Sequence, residues 1–160
     1  MALNSCARRR KTTPGGSQND DNGRTVGRSG PGEAEAVTPS RLQVMIVEDE
    51  AVIALQLEDD IQQAGHDVVG WAIDTAGALA LARDARPDLA LVDVHLQDGP
   101  TGVELGRRLS GMGCAVLFVT ANAKRLPPDL AGAKGVIDKP FTPAALRRGL
   151  DRVLGANTAA

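Results

Sequence analysis

The sequence predicts an α/β fold, a doubly wound five-stranded parallel sheet with helices on both faces. Two observations carry the prediction. Short apolar runs of strand length alternate with segments whose apolar residues recur at helical spacing. Four of the runs also end in a polar residue able to hold a metal ion or a phosphoryl group. Glu48-Asp49 follow Val44-Met45-Ile46-Val47, and Asp93 follows Leu89-Ala90-Leu91-Val92. Thr120 follows Val116-Leu117-Phe118-Val119, and Lys139 closes Gly135-Val136-Ile137-Asp138. In a parallel sheet such ends lie side by side, so distant residues meet in one pocket.

The elements follow in order. A strand over 42–47 leads to Ala51-Val52-Ile53-Ala54-Leu55-Gln56-Leu57-Glu58-Asp59-Asp60-Ile61, apolar at helical spacing and ending near Gly65. A strand over 67–72 precedes a helix from Thr75, its expected N-cap, through Ala85. Pro87 breaks that helix, and the strand ending at Asp93 begins. Gly and Pro crowd Gln97-Asp98-Gly99-Pro100-Thr101-Gly102 into a loop. A helix over about 102–110 and a strand over 115–119 come next. Pro127-Pro128 then leave room for only a short helix near 128–132. After a strand over 135–138, Pro143 suits the first turn of a last helix running to about Leu154.

A chain of 160 residues suits one domain, and its 42% hydrophobic content can fill one core. Aromatics make up only 2%, so the core is aliphatic. Residues 1–40 stand apart, being rich in Gly, Ser, Asn, Pro and Arg and lacking apolar runs. They carry six basic and four acidic residues, hence +2, against −4 for the remainder. Such a segment cannot bury enough surface to offset its ordering entropy, so 1–40 is expected to be a disordered tail. The domain is expected over 41–155, with a disordered tail over 156–160.

A net charge of −2 argues against direct DNA binding. No stretch approaches the roughly 20 apolar residues of a membrane span, and nothing apolar follows Arg8-Arg9-Arg10-Lys11 to make a signal peptide. Cys6 and Cys114 suggest no disulfide framework, and Cys114 reads as a small core residue. A reducing cytoplasm is the expected compartment.

Glu48-Asp49-Glu50 place three acids at one strand-to-helix junction. Packed carboxylates repel unless a cation sits among them. Mg2+ suits such a place, favouring one or two carboxylates plus waters and phosphate oxygens. Helix capping is the other reading of the triplet; joined to Asp93, it becomes a metal site. Asp93 itself could be a further ligand or a nucleophile that attacks phosphorus to form an acyl phosphate. Lys139 would supply a cation and Thr120 a hydroxyl to the phosphoryl oxygens. The Lys139–Pro140 bond can be cis, since such bonds are almost confined to proline.

Val47-Glu48-Asp49-Glu50, Leu91-Val92-Asp93-Val94, Val119-Thr120-Ala121 and Asp138-Lys139-Pro140-Phe141 resemble the signature blocks of the response-regulator receiver family. The resemblance covers about residues 41–155. It implies a flavodoxin-like sheet in strand order 2-1-3-4-5, with the fourth helix reduced here. It implies Asp93 as phosphoacceptor, Thr120 and Lys139 as phosphoryl contacts, and Mg2+ held by Glu48, Asp49, Asp93 and the backbone carbonyl of His95. It also implies a histidine kinase or phosphotransfer protein as donor. Gln97 stands where the family usually has proline, and Val136 where an aromatic switch residue is usual. The short Thr120–Lys139 interval and Val136 resemble the alphaproteobacterial receivers called FAT GUY, although Val119-Thr120-Ala121-Asn122 matches that motif only at the threonine.

The expected function is therefore a stand-alone, single-domain response regulator of a two-component or phosphorelay system. Its output would be a contact with a partner protein or onward phosphotransfer, since no output domain is read after Ala160. Catalysis is not expected beyond autodephosphorylation. Homodimerisation stays open, because receivers often associate through the region abbreviated here. Two alternatives remain. One is a Mg2+-dependent phosphohydrolase with an aspartyl nucleophile, although His95 stands where such enzymes want an acid. The other is a pseudo-receiver that binds without being phosphorylated.

Overall fold

The computed structural model describes residues 40–158. The expected tail over 1–40, with Cys6 and the basic run Arg8–Lys11, lies outside them except for Ser40. The elements run β1 (Gln43–Val47), α1 (Ala51–Gln63), β2 (Asp67–Ala72), α2 (Thr75–Ala85), β3 (Leu89–Val92), α3 (Gly102–Gly111), β4 (Ala115–Thr120), β5 (Gly135–Asp138) and α4 (Pro143–Thr158). Five parallel strands form one sheet in the order β2-β1-β3-β4-β5. This is the doubly wound fold that the sequence predicts, in the strand order that the family resemblance implies.

The sheet has a core on each face. On one, Ala78, Leu79 and Ala82 of α2 and Leu105 and Leu109 of α3 meet Met45, Val47, Ala90, Val92, Val116 and Phe118. On the other, Ala54, Leu57 and Ile61 of α1 and Leu146, Leu150 and Val153 of α4 meet Val44, Ile46, Leu89, Leu91, Leu117 and Val119. Alternate strand residues thus feed opposite cores, as the period of two requires. All four residues of β3 are buried, whereas the edge strand β2 is mostly half-buried. The aliphatic composition sets this packing. Phe118 is the one aromatic among the largest fully buried side chains of the described residues, and an added Cβ at Gly106 would lie 2.6 Å from its ring.

Two boundaries differ from the sequence reading. Asp74, not Thr75, caps α2: its carboxylate accepts the Gly77 N–H at 2.7 Å, and Thr75 is the first helical residue. The last helix does not stop near Leu154 but continues through Thr158, so the expected tail over 156–160 is helical for its first three residues. Between β4 and β5, where a reduced helix is expected, two 3-10 turns stand at Ala123–Arg125 and Leu130–Gly132.

Candidate functional site

Glu48, Asp93, Thr120 and Lys139 sit just past or at the end of a strand, and backbone bonds fix three of them there. The Glu48 N–H donates to Ala72 O at 3.0 Å, the Asp93 N–H to Val47 O at 2.9 Å, and the Lys139 N–H to Thr120 O at 2.9 Å. The sheet ladder therefore runs one residue beyond β1, β3 and β5 and holds those peptides rigid. The strand order reverses between β1 and β3, which makes the crevice at their carboxyl ends the place where such sheets bind ligands. Glu48 and Asp93 flank that crevice.

The side chains converge. Lys139 Nζ donates to Glu48 Oε2 at 2.7 Å and to Asp93 Oδ2 at 2.9 Å, with its side chain only 13% exposed. The second oxygens are also occupied, since Glu48 Oε1 accepts the Glu50 N–H at 3.2 Å and Asp93 Oδ1 accepts the His95 N–H at 3.3 Å. Thr120 is buried, and its hydroxyl oxygen accepts the Asn122 N–H at 3.2 Å, leaving the hydroxyl hydrogen to donate elsewhere. His95 is an exposed loop residue, placed at the Asp93 carboxylate by its backbone.

The electrostatics follow from burial. Desolvation pushes the Glu48 carboxyl above its ordinary range, and the Lys139 ammonium only partly opposes it. Burial alone would lower the Lys139 ammonium, but its hydrogen bonds to Glu48 and Asp93 outweigh that and raise it. One lysine thus faces two nearly buried carboxylates, and Asp49 adds a third.

Carboxylate oxygens of Glu48, Asp49 and Asp93 lie within 4.8 Å of one another, with Asp49 exposed at the mouth. Three hard oxygen donors around a partly open position are a donor set that suits Mg2+, which prefers a few carboxylates and keeps its waters. Burial raises the Glu48 carboxyl, and the nearby Asp93 charge adds to that in the same direction.

Several contacts here were not legible as site features in the sequence. The Trp71 indole N–H donates to the Glu48 carbonyl, tying β2 to the acidic loop. At Gly102, the first residue of α3, an added Cβ would lie 2.0 Å from Asp93 O, so only glycine lets the helix start against that peptide. Asp98 accepts the Thr75 N–H at 3.1 Å and the Thr101 hydroxyl at 2.7 Å, lacing the loop after Asp93 to α2. The Gln97 N–H donates to Ile73 O at 3.0 Å. A proline at 97 has no N–H to give, so the residue usual in the family at this place would lose that bond. His66 and Cys114, by contrast, are core residues: the former accepts the Leu42 N–H on Nδ1, and burial pushes the latter's thiol up to about 12.

The chain is similar in sequence and fold to known proteins. The family profile described as response regulator receiver domain matches residues 44–151. The phyllosphere-induced regulator PhyR of Methylorubrum extorquens is 35% identical over 105 residues, covering 64% of this chain and 39% of that protein. The chemotaxis protein CheY of Thermotoga maritima is 26% identical over 116 residues, covering 69% of this chain and 96% of CheY. Among solved structures, the receiver domain of Erythrobacter litoralis PhyR superposes with a TM-score of 0.63 at 30% identity, over 72% of this chain and 91% of that one. The anti-anti-sigma factor PhyR from Bartonella quintana superposes with a TM-score of 0.67 at 30% identity, over 76% of this chain and 51% of that one. The chain spans 39% of the length of M. extorquens PhyR and 54% of the transcriptional regulatory protein PdtaR of Mycobacterium tuberculosis. Among the described residues, no helix is long and apolar enough to cross a membrane.

Proposed function

The chain belongs to the response-regulator receiver family, a module of two-component signalling, and on that footing we propose that Asp93 accepts a phosphoryl group from a histidine kinase or phosphotransfer protein. One observation carries the reading: a single lysine bridges the buried Asp93 and Glu48 carboxylates at 2.9 and 2.7 Å. An Asp93 oxygen attacks phosphorus, an acyl phosphate forms, and the donor's P–N bond breaks with its electron pair returning to the imidazole. Lys139 follows the negative charge, keeping one ammonium donor for Glu48 and turning others to the phosphoryl oxygens. Thr120 offers its hydroxyl to the same oxygens. Glu48, Asp49, Asp93 and the His95 carbonyl would hold Mg2+, whose chemistry when bound is to offset charge on the phosphoryl group. His95, exposed beside the acyl phosphate, leaves water an approach for slow autodephosphorylation.

Exposed apolar residues favour a protein as donor. Val52 is 79% and Leu55 61% exposed, one turn apart on α1, which begins directly after the acidic loop. Output then passes through a protein contact, or through onward transfer of the phosphoryl group.

The test is phosphorylation of the purified protein by histidine kinases or by a small acyl phosphate. Labelling that requires Mg2+, is abolished by a chelator and is lost in Asp93→Asn is expected. Labelling that survives Asp93→Asn refutes the assignment, and turnover of a generic phosphate ester would favour a phosphohydrolase instead.

A further inference from the structure

We propose that Trp71 is a positioning residue for the metal-binding end of the site, acting through the Glu48 peptide. The inference rests on the reading of Glu48 and Asp49 as Mg2+ ligands. The register of β1 and β2 ends at Val47 opposite Ala72. Glu48 still draws on β2 for its N–H, through Ala72 O at 3.0 Å. Its carbonyl has no such continuation, because β2 ends at Ala72 and the chain passes within two residues to Asp74, the extended N-cap of α2. The indole of Trp71, a residue that lies opposite Ile46 in the ladder, reaches forward and supplies the missing donor.

Every polar atom of Glu48 is then held. The N–H is bound by Ala72, the carbonyl by Trp71, Oε1 by the Glu50 N–H and Oε2 by Lys139. With the peptide clamped on both sides, Glu48 cannot rotate, and Asp49, joined to it through the same carbonyl carbon, presents its carboxylate at the mouth. A site preorganised in this way binds its ion without the entropy cost of ordering the loop. Trp71 is 44% exposed, far more than apolar packing alone would ask of the chain's one tryptophan. Its N–H, rather than its area, is what the position uses.

The decisive variant is Trp71→Phe, which keeps a ring and removes the donor. Calorimetric titration of the metal-free full chain with Mg2+, without any phosphodonor, should show a dissociation constant raised about fivefold, equivalent to about 1 kcal/mol for one hydrogen bond. Hydrogen exchange at the Glu50 amide should quicken in the metal-free variant. Saturating Mg2+ should restore the wild-type phosphorylation rate, and the melting temperature should barely move, because water can reach the freed carbonyl. A purely structural role would lower the melting temperature and leave the Mg2+ constant unchanged, and that result overturns the proposal. Absence of Mg2+ binding by the wild-type protein would instead overturn the metal reading on which the proposal stands.

Discussion

Replacing Lys139 by methionine tests the electrostatic design of the site. The substitution keeps most of the stem and removes one ammonium that makes two charge-assisted bonds, at 2.7 Å to Glu48 and 2.9 Å to Asp93. Glu48 is 1% and Asp93 8% exposed, so their charges would be left buried without a counter-ion. Breaking a buried pair by removing one partner costs about 3–5 kcal/mol. The lower end applies, since the Lys139 side chain keeps 13% exposure and Glu48, already raised, can escape by taking a proton. The expected loss is therefore about 3 kcal/mol at pH 7, or about 10 °C in melting temperature for a domain of this size. The pH dependence has a definite sign. The Glu48 carboxyl is raised above 4.5 in the folded state, and losing Lys139 removes what opposes that, so just above pH 4.5 the folded variant binds more protons than the unfolded chain. Stability of the variant must then rise as pH falls from 7 toward 4.5. Urea unfolding at pH 7 and pH 5, without divalent metal and then with Mg2+, reads all of this, and Mg2+ should recover part of the loss. A variant as stable as wild type at pH 7 without metal would refute the argument.

Two further outcomes follow from the geometry. Gly102→Ala places a Cβ 2.0 Å from Asp93 O and should cost about 2–3 kcal/mol in urea unfolding; an unchanged midpoint would contradict the contact. Burial lowers the His66 imidazole below 6.5, with Asp151 and Asp67 opposing and Arg41 and Arg147 assisting, so its neutral form stabilises the fold fully above pH 6.5 and loses effect as pH falls below it. The stability difference between wild type and His66→Leu should therefore shrink from pH 7 to pH 5, and a constant difference would show that the buried ring does not titrate.

The sheet was legible because apolar runs and helical spacing report burial, which is a property of each segment taken alone. Glu48, Asp93, Thr120 and Lys139 were legible because a parallel sheet collects strand ends whatever lies between them. What escaped depended on distances across the chain. Asp74 and Thr75 are both good capping types, and only the reach of the Asp74 carboxylate to the Gly77 N–H distinguishes them. Gly102 looked like one more loop glycine, though it marks where α3 touches the Asp93 backbone. The Trp71 bond to Glu48 joins residues 23 positions apart through a side-chain tip, and no periodicity records that. Gly155 and Asn157 weaken the helical pattern after Leu154, yet α4 carries on past both to Thr158.

The three carboxylates that approach within 4.8 Å come from two adjacent strands, and the lysine between them comes from the far edge of the sheet. A one-residue slip in any of these strands would turn its side chain to the opposite face and dismantle the cluster. On the proposed metal reading, the amount of ion bound would therefore be a census of correctly assembled molecules. Chains that have collapsed with the right helices but the wrong pairing would be silent in a metal titration, and the fraction that responds would measure native yield where circular dichroism could not.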